Sequence, residues 1–119
     1  MQILGLVFAG TATDRRAEMA AFARDVLRLE PAPDAAAGAD MFALPDGSFF
    51  AVAGPRDGGD TSRTIGFLVA DLDAAVAELR EAGIDVGEPA ANARHRYAHL
   101  RAPDGRLYEL VEERGAVSP

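Results

Sequence analysis

The residues of this chain best equipped for chemistry gather near its C-terminal end. Pro103-Asp104-Gly105 has the composition of a tight turn, proline fixing one φ and glycine free to take a positive one. With the turn spanning Ala102 to Arg106, the flanking strands pair antiparallel and set Arg101 opposite Leu107, His99 opposite Glu109 and Tyr97 opposite Val111. Directly paired residues share a sheet face, so Glu109 and His99 stand side by side with Tyr97 two residues away. A carboxylate beside an imidazole is the arrangement of a general base held by its partner. The same pair also reads as a stabilising contact, satisfied by Arg101 or water, because structural ion pairs perturb titration too.

Other candidates carry less. His95 lies in Asn92-Ala93-Arg94-His95-Arg96, a basic stretch at a strand start, and reads as a solvated strand edge, where charge resists unwanted pairing. Arg94, Arg96 and Arg101 do not converge on an anion, since alternation puts Arg101 on the other face from the first two. Ser62 and Thr64 have no neighbour that reads as a nucleophile's base, and no Gly-x-Ser-x-Gly elbow is present. Gly58-Gly59 is followed by no Gly-Lys-Ser/Thr, so a phosphate cradle is not indicated.

The elements that must position these residues come in two copies. Glu30-Pro31 recurs as Glu88-Pro89 and Pro45-Asp46-Gly47 as Pro103-Asp104-Gly105, both 58 residues apart, which points to a duplicated unit. Each copy opens on a β-like apolar run, Ile3 to Ala9 and Thr64 to Ala70, and leads to a helix. The second helix is strongly marked. Asp71 is a natural N-cap, Leu72, Ala75, Val76 and Leu79 repeat at helical spacing, and Gly83 supplies a left-handed stop. In the first, Thr13 or Asp14 can cap, Phe22, Val26 and Leu29 predict the buried stripe, and Pro31 prevents continuation. Short extended segments come next, giving β-α-β-β-β twice: one domain over 1–119, module 1 about 1–54, a polar connector at 55–62 and module 2 about 63–114.

Composition narrows the field. At 119 residues the chain suffices for one core, and 25 of its apolar residues are alanine, so that core is modest. A net charge of −7 is the wrong sign for neutralising phosphates, so nucleic acid is not an expected partner. The opening apolar run has no basic n-region and is too short to span a bilayer, so it reads as a buried strand and no membrane is expected. Without cysteine there is no disulfide framework or thiolate nucleophile, which fits a cytoplasmic location. Without lysine there is no Schiff-base chemistry.

Ile65-Gly66-Phe67-Leu68-Val69-Ala70-Asp71-Leu72-Asp73-Ala74-Ala75, then Ala102-Pro103-Asp104-Gly105-Arg106-Leu107-Tyr108-Glu109-Leu110, resembles the vicinal oxygen chelate superfamily of glyoxalases, bleomycin-resistance proteins and extradiol dioxygenases. Phe22 to Leu29 matches that family's first-helix ending. The resemblance implies an α+β fold of tandem βαβββ modules whose mixed sheet curls into a cup, commonly a homodimer, with a ligand inside. It also implies metal ligands on the first and last strands of each module. Setting Gly5 against Gly66 gives first-strand positions Ile3 and Thr64, with Val7 on the face of Ile3, and the turns give last-strand positions Ala51 and Glu109. One carboxylate cannot hold a divalent ion, so neither metal nor other cofactor is expected.

The 58-residue offset also sets Met41, Ala51 and Phe49 as an apolar wall facing the polar wall of Glu109, His99, Tyr97 and Arg101. Such a cup suits a small, partly hydrophobic molecule with a hydrogen-bonding or cationic end. The leading expectation is metal-independent binding of such a molecule, sequestration as in the bleomycin-resistance branch. The alternatives are a glyoxalase-like lyase or isomerase, or dioxygenase-related enzyme, with Glu109 as base and His99 or Tyr97 steadying charge, and a dimeric module with no ligand of its own.

Overall fold

The computed structural model describes residues 1–33, 38–56, 61 and 63–114. Most of the connector expected at 55–62, including Gly58, Gly59 and Ser62, lies outside the described residues. The chain divides into two compact units, Val7–Thr64 and Ile65–Pro119 with Met1–Leu6.

In the first unit, strand β1 (Gly5–Ala12) leads to helix α1 (Arg16–Ala21), which runs on as a π-helical segment over Phe22–Val26, then to β2 (Glu30–Pro31), β3 (Ala39–Ala43) and β4 (Phe49–Ala53). The strands lie in the order β2-β3-β4-β1, antiparallel except for the parallel β1 and β4. The second unit repeats the plan. Strand β5 (Arg63–Leu68), helix α2 (Leu72–Glu81) and β6 (Asp85–Val86) are followed by β7 (Ala90–Ala91), β8 (His95–Arg101) and β9 (Leu107–Glu113). Here the order is β6-β8-β9-β5, β7 also pairs with β8, and only β5 and β9 run parallel.

Both Pro-Asp-Gly turns close in the same way. Gly47 and Gly105 donate to the carbonyls of Leu44 and Ala102 at 3.0 and 2.9 Å, with φ of 87° and 81° that L side chains rarely adopt. Asp46 Oδ1 accepts the Ser48 amide and Asp104 Oδ1 the Arg106 amide, so each turn is held from inside by its own aspartate. Bonds to the charged form, from the Ser48 hydroxyl and amide to Asp46 and from the Arg106 amide and Tyr108 hydroxyl to Asp104, hold both carboxyls below the usual aspartate range.

Helix α2 forms as its sequence dictates. The Asp71 side chain accepts the Ala74 amide at 3.1 Å, Leu72, Ala75 and Val76 are buried, and Gly83 turns at φ 82°. They pack with Val69, Val86, Ala98 and Leu110 into the core of this unit, and Leu79 lies against it. A second cap comes from far along the chain, where Glu112 of β9 accepts the Leu72 amide at 2.8 Å. Arg96 of β8 forks onto Asp73 in the first turn and lies 3.6 Å from Glu112. Two acids therefore sit where the helix presents unpaired amides and positive dipole.

The first helix departs from its sequence pattern. Thr13 Oγ1 accepts the Arg15 amide at 3.1 Å, but the cap position is Arg15, whose side chain caps nothing. The expected stripe of Phe22, Val26 and Leu29 is not the buried one. Phe22 is 42% and Val26 65% exposed, while Ala20 and Ala23 pack against Phe42 and Val52, with only Leu29 of the stripe alongside. Phe22 lies off the inward face set by Ala20 and Ala23, and beyond it the winding becomes π-helical, seen in the bond from the Leu27 amide to the Phe22 carbonyl at 3.0 Å. An added residue in the turn rotates the later side chains away from the 3.6-residue stripe. Pro31 then enters β2 at the sheet's end, opposite Phe42.

Because Ala23 has no exposed surface, Ala23→Leu is expected to cost about 1–3 kcal/mol by overpacking. Phe22→Ala, at an exposed position, should cost less than about 1 kcal/mol. Denaturant unfolding of both variants measures this, and the reverse ranking would restore the stripe read from the sequence.

Candidate functional site

The β8–β9 register matches the pairing expected from the turn, residue for residue: Arg101 with Leu107, His99 with Glu109, Tyr97 with Val111. Glu109 and His99 are in contact, Nε2 to Oε2 at 3.2 Å, the carboxylate 12% exposed and the imidazole 46%. The Tyr97 ring meets that of His99 edge-on, with centroids 5.8 Å apart. Gly66 and Leu68 of β5 lie beside Glu109 and Val111, so the acid stands against a glycine and next to an apolar strip. Arg101 shares this face by register, but its guanidinium donates to the Gly105 carbonyl at 3.0 Å and so serves the turn.

His95 is not on an edge, because β8 has β9 on one side and β6 and β7 on the other. The strand is longer than the basic stretch suggested, and Asn92 Oδ1 anchors its start by accepting the Arg94 and His95 amides. His95 is partly buried, in register with Glu113, on the same face as Tyr97 and His99. Burial pushes its imidazole below the ordinary value, Glu113 pulls the other way, Arg94 adds to the fall and Glu109 opposes it.

In the first unit, Met41 pairs with Ala51 and Phe49 lies two residues along the same strand face, with Ala43 beside it. The first-strand residues need a correction. Phe8 pairs with Phe49 and Gly10 with Ala51, and a Cβ placed on Gly10 would meet Phe8 and Ala51, so Phe8 and Gly10 share the face of Met41, Phe49 and Ala51. Val7 is one residue out of phase and points to the other side. Ile3 precedes β1 and lines an apolar cavity with Phe67, Leu79 and Leu110, on the helix side of the second unit. Gly10, not Gly5, is the counterpart of Gly66: it lies beside Ala51 as Gly66 lies beside Glu109. The sequence held a signal for this, because Gly10 precedes Arg16 of α1 by the same six residues that separate Gly66 from Leu72 of α2.

The positions that the resemblance implied as metal ligands therefore carry Phe8, Thr64, Ala51 and Glu109. Phenylalanine and alanine have no donor atom, and the buried Thr64 hydroxyl accepts from Arg56. Among the described residues no three His, Asp or Glu side chains gather closely enough to hold an ion. These residues do not fit a metal of that kind.

With this geometry in view, solved structures are informative. Methylmalonyl-CoA epimerase from Streptomyces coelicolor, in complex with 2-nitronate-propionyl-CoA, superposes with a TM-score of 0.73 at 23% identity over 96% of this chain and 100% of that one. The enzyme of the same name from Mycobacterium tuberculosis gives 0.73 at 20% identity over 98% and 90%. A hypothetical protein from Bacillus halodurans C-125 gives 0.73 at 20% over 96% and 97%. The chain has the fold of the vicinal oxygen chelate superfamily. At these identities the likeness is one of fold. No protein-family model matches the sequence, and no curated protein matches it. No helix among the described residues is long and apolar enough to cross a membrane.

His95 generates a pH prediction. Its folded imidazole binds a proton less readily than the unfolded one, so acidification below about pH 6.5 favours the unfolded state. Stability should fall through that window in the native chain, and His95→Gln should flatten the fall. In Glu113→Gln the opposing charge is lost, so an NMR titration should show the His95 midpoint moving further down; an upward move would contradict the assignment of causes.

Proposed function

We propose that this chain binds a small organic molecule against the Glu109, His99 and Tyr97 face and does so without a resident metal. The observation that carries the reading is the largely buried Glu109 carboxylate, held by His99 at 3.2 Å beside the aromatic edge of Tyr97. A carboxylate withdrawn from water, with an imidazole on one side and Leu68 and Val111 nearby, favours a ligand with an apolar body and a cationic or hydrogen-bond-donating end. Sequestration needs nothing further. The protein acts in this reading as a cytoplasmic homodimer, and sedimentation of the purified chain checks its dimeric state.

A second reading draws support from the epimerase neighbours, solved with 2-nitronate-propionyl-CoA or with methylmalonyl-CoA. Glu109 then removes a proton next to a carbonyl, and His99 stabilises the resulting charge. In support, the pair shares one sheet face and Gly66, which has no side chain, lies beside Glu109.

One set of measurements separates the readings. In a thermal-shift screen of small organic cations and small keto compounds, a specific ligand raises the midpoint of the native protein. Glu109→Gln is expected to weaken that ligand at least tenfold, about 1.4 kcal/mol. If solvent deuterium also enters the α-position of a keto compound or acyl thioester, and Glu109→Gln abolishes the exchange, the protein is an enzyme. A flat screen and no exchange would defeat both readings, and stoichiometric metal in the purified protein would defeat the first.

A further inference from the structure

The second unit carries an apolar cavity on the side of its sheet away from Glu109. Leu110 and Glu109 are neighbours on β9, and Leu100 and His99 are neighbours on β8, so alternation sends the members of each pair to opposite faces. On the helix side, Ile3, Phe67, Leu79, Leu100, Tyr108 and Leu110 line a cavity of about 250 Å³. Its wall is apolar throughout. Phe67 and Tyr108 stack at 6.1 Å with their planes 16° apart and form a flat aromatic floor.

The polar groups nearest this wall are already engaged. The Tyr108 hydroxyl donates to Asp104 Oδ2 at 2.8 Å, which also fixes the ring, and the Arg101 guanidinium donates to the Gly105 carbonyl. The Met1 ammonium, from a residue that also lines the cavity, is held by Glu78 at 2.6 Å, so a charged or strongly hydrated ligand would lose water against an apolar wall whose neighbouring charges are already paired. An apolar ligand would displace poorly bonded water at little cost. Size sets a further limit: an apolar cavity of about 150 Å³ already accepts benzene, so this one accommodates a substituted ring or branched chain of about ten heavy atoms.

We infer that this cavity is a second ligand site, selective for a neutral aromatic or branched aliphatic group and separate from the Glu109 face. The inference does not depend on the proposed function, because none of the eight residues that line the cavity, Met1 and Ala102 among them, belongs to the Glu109, His99 and Tyr97 cluster.

The test uses ethylbenzene as a neutral probe and benzylammonium as its charged counterpart, with binding read from methyl and aromatic NMR spectra of the whole chain. Ethylbenzene is expected to shift the Leu79, Leu100 and Leu110 methyls and the Tyr108 ring in a saturable way, while benzylammonium leaves them unchanged. Ala102 also lines the cavity, and Ala102→Leu should fill it and weaken ethylbenzene at least tenfold. Leu100→Phe provides a second filling variant should the first fold poorly. No saturable shift at these residues in the native protein, or equal affinity for the charged probe, would overturn the inference. Benzylammonium shifts confined to Tyr97, His99 and Val111, with ethylbenzene saturating the leucine methyls, would support two separate sites.

Discussion

Everything that gives this protein a candidate site depends on the register of β8 against β9, and that register depends on one turn. Asp104 holds the Arg106 amide, Gly105 takes the positive φ, and Pro103 precedes them with its φ already fixed. A slip of one residue would exchange the two faces of β9, because side chains alternate along a strand. Glu109 would then turn into the helix-packed core and Leu110 out of it. Burying an unpaired carboxylate costs several kcal/mol, and exposing Leu110 forfeits part of the core, so the alternative register is strongly disfavoured.

Strand β9 consequently divides its labour by parity. Glu109, Val111 and Glu113 stand opposite His99, Tyr97 and His95, forming a face on which Glu109 is in contact with His99 and Glu113 lies in register with His95. Tyr108, Leu110 and Glu112 face α2, where the first lines a cavity, the second fills the core and the third caps the helix. One strand therefore supplies both the chemical groups and the contacts that hold its partner helix in place. Arg96 continues the pattern on β8, joining Asp73 and Glu112 at the helix N-terminus.

The two units share a strand order and differ in what they present. The first offers Phe8, Met41, Phe49 and Ala51 along its β1, β3 and β4 face, where β8 and β9 of the second offer His99, Leu107 and Glu109. The strand plan is thus kept, while at these positions the first unit carries side chains without a ligating oxygen or imidazole nitrogen.

The second unit was legible because its signals are local. A proline, an aspartate and a glycine at fixed offsets define a turn, and strand alternation then fixes Arg101, His99 and Tyr97 against their partners. A capping aspartate, a helical repeat and a stopping glycine define α2 in the same way. The first unit was legible only in outline. Gly5 was a plausible anchor for the first strand, but β4 selects Gly10 by lying alongside it, which moves Ile3 and Val7 off the expected face and puts Phe8 there. Nor does the repeat of apolar residues in the first helix reveal that it winds as a π-helix and buries Ala20 and Ala23. The sequence by itself determined the turns, the order of elements and the Glu109–His99 pairing, since each rests on bonds between residues a few positions apart. Only the tertiary structure decided the phase of β1, the inward face of the first helix and the cap from Glu112. Each of these is set by what packs against it from elsewhere in the chain, and the free energy of that contact exceeds the local preference.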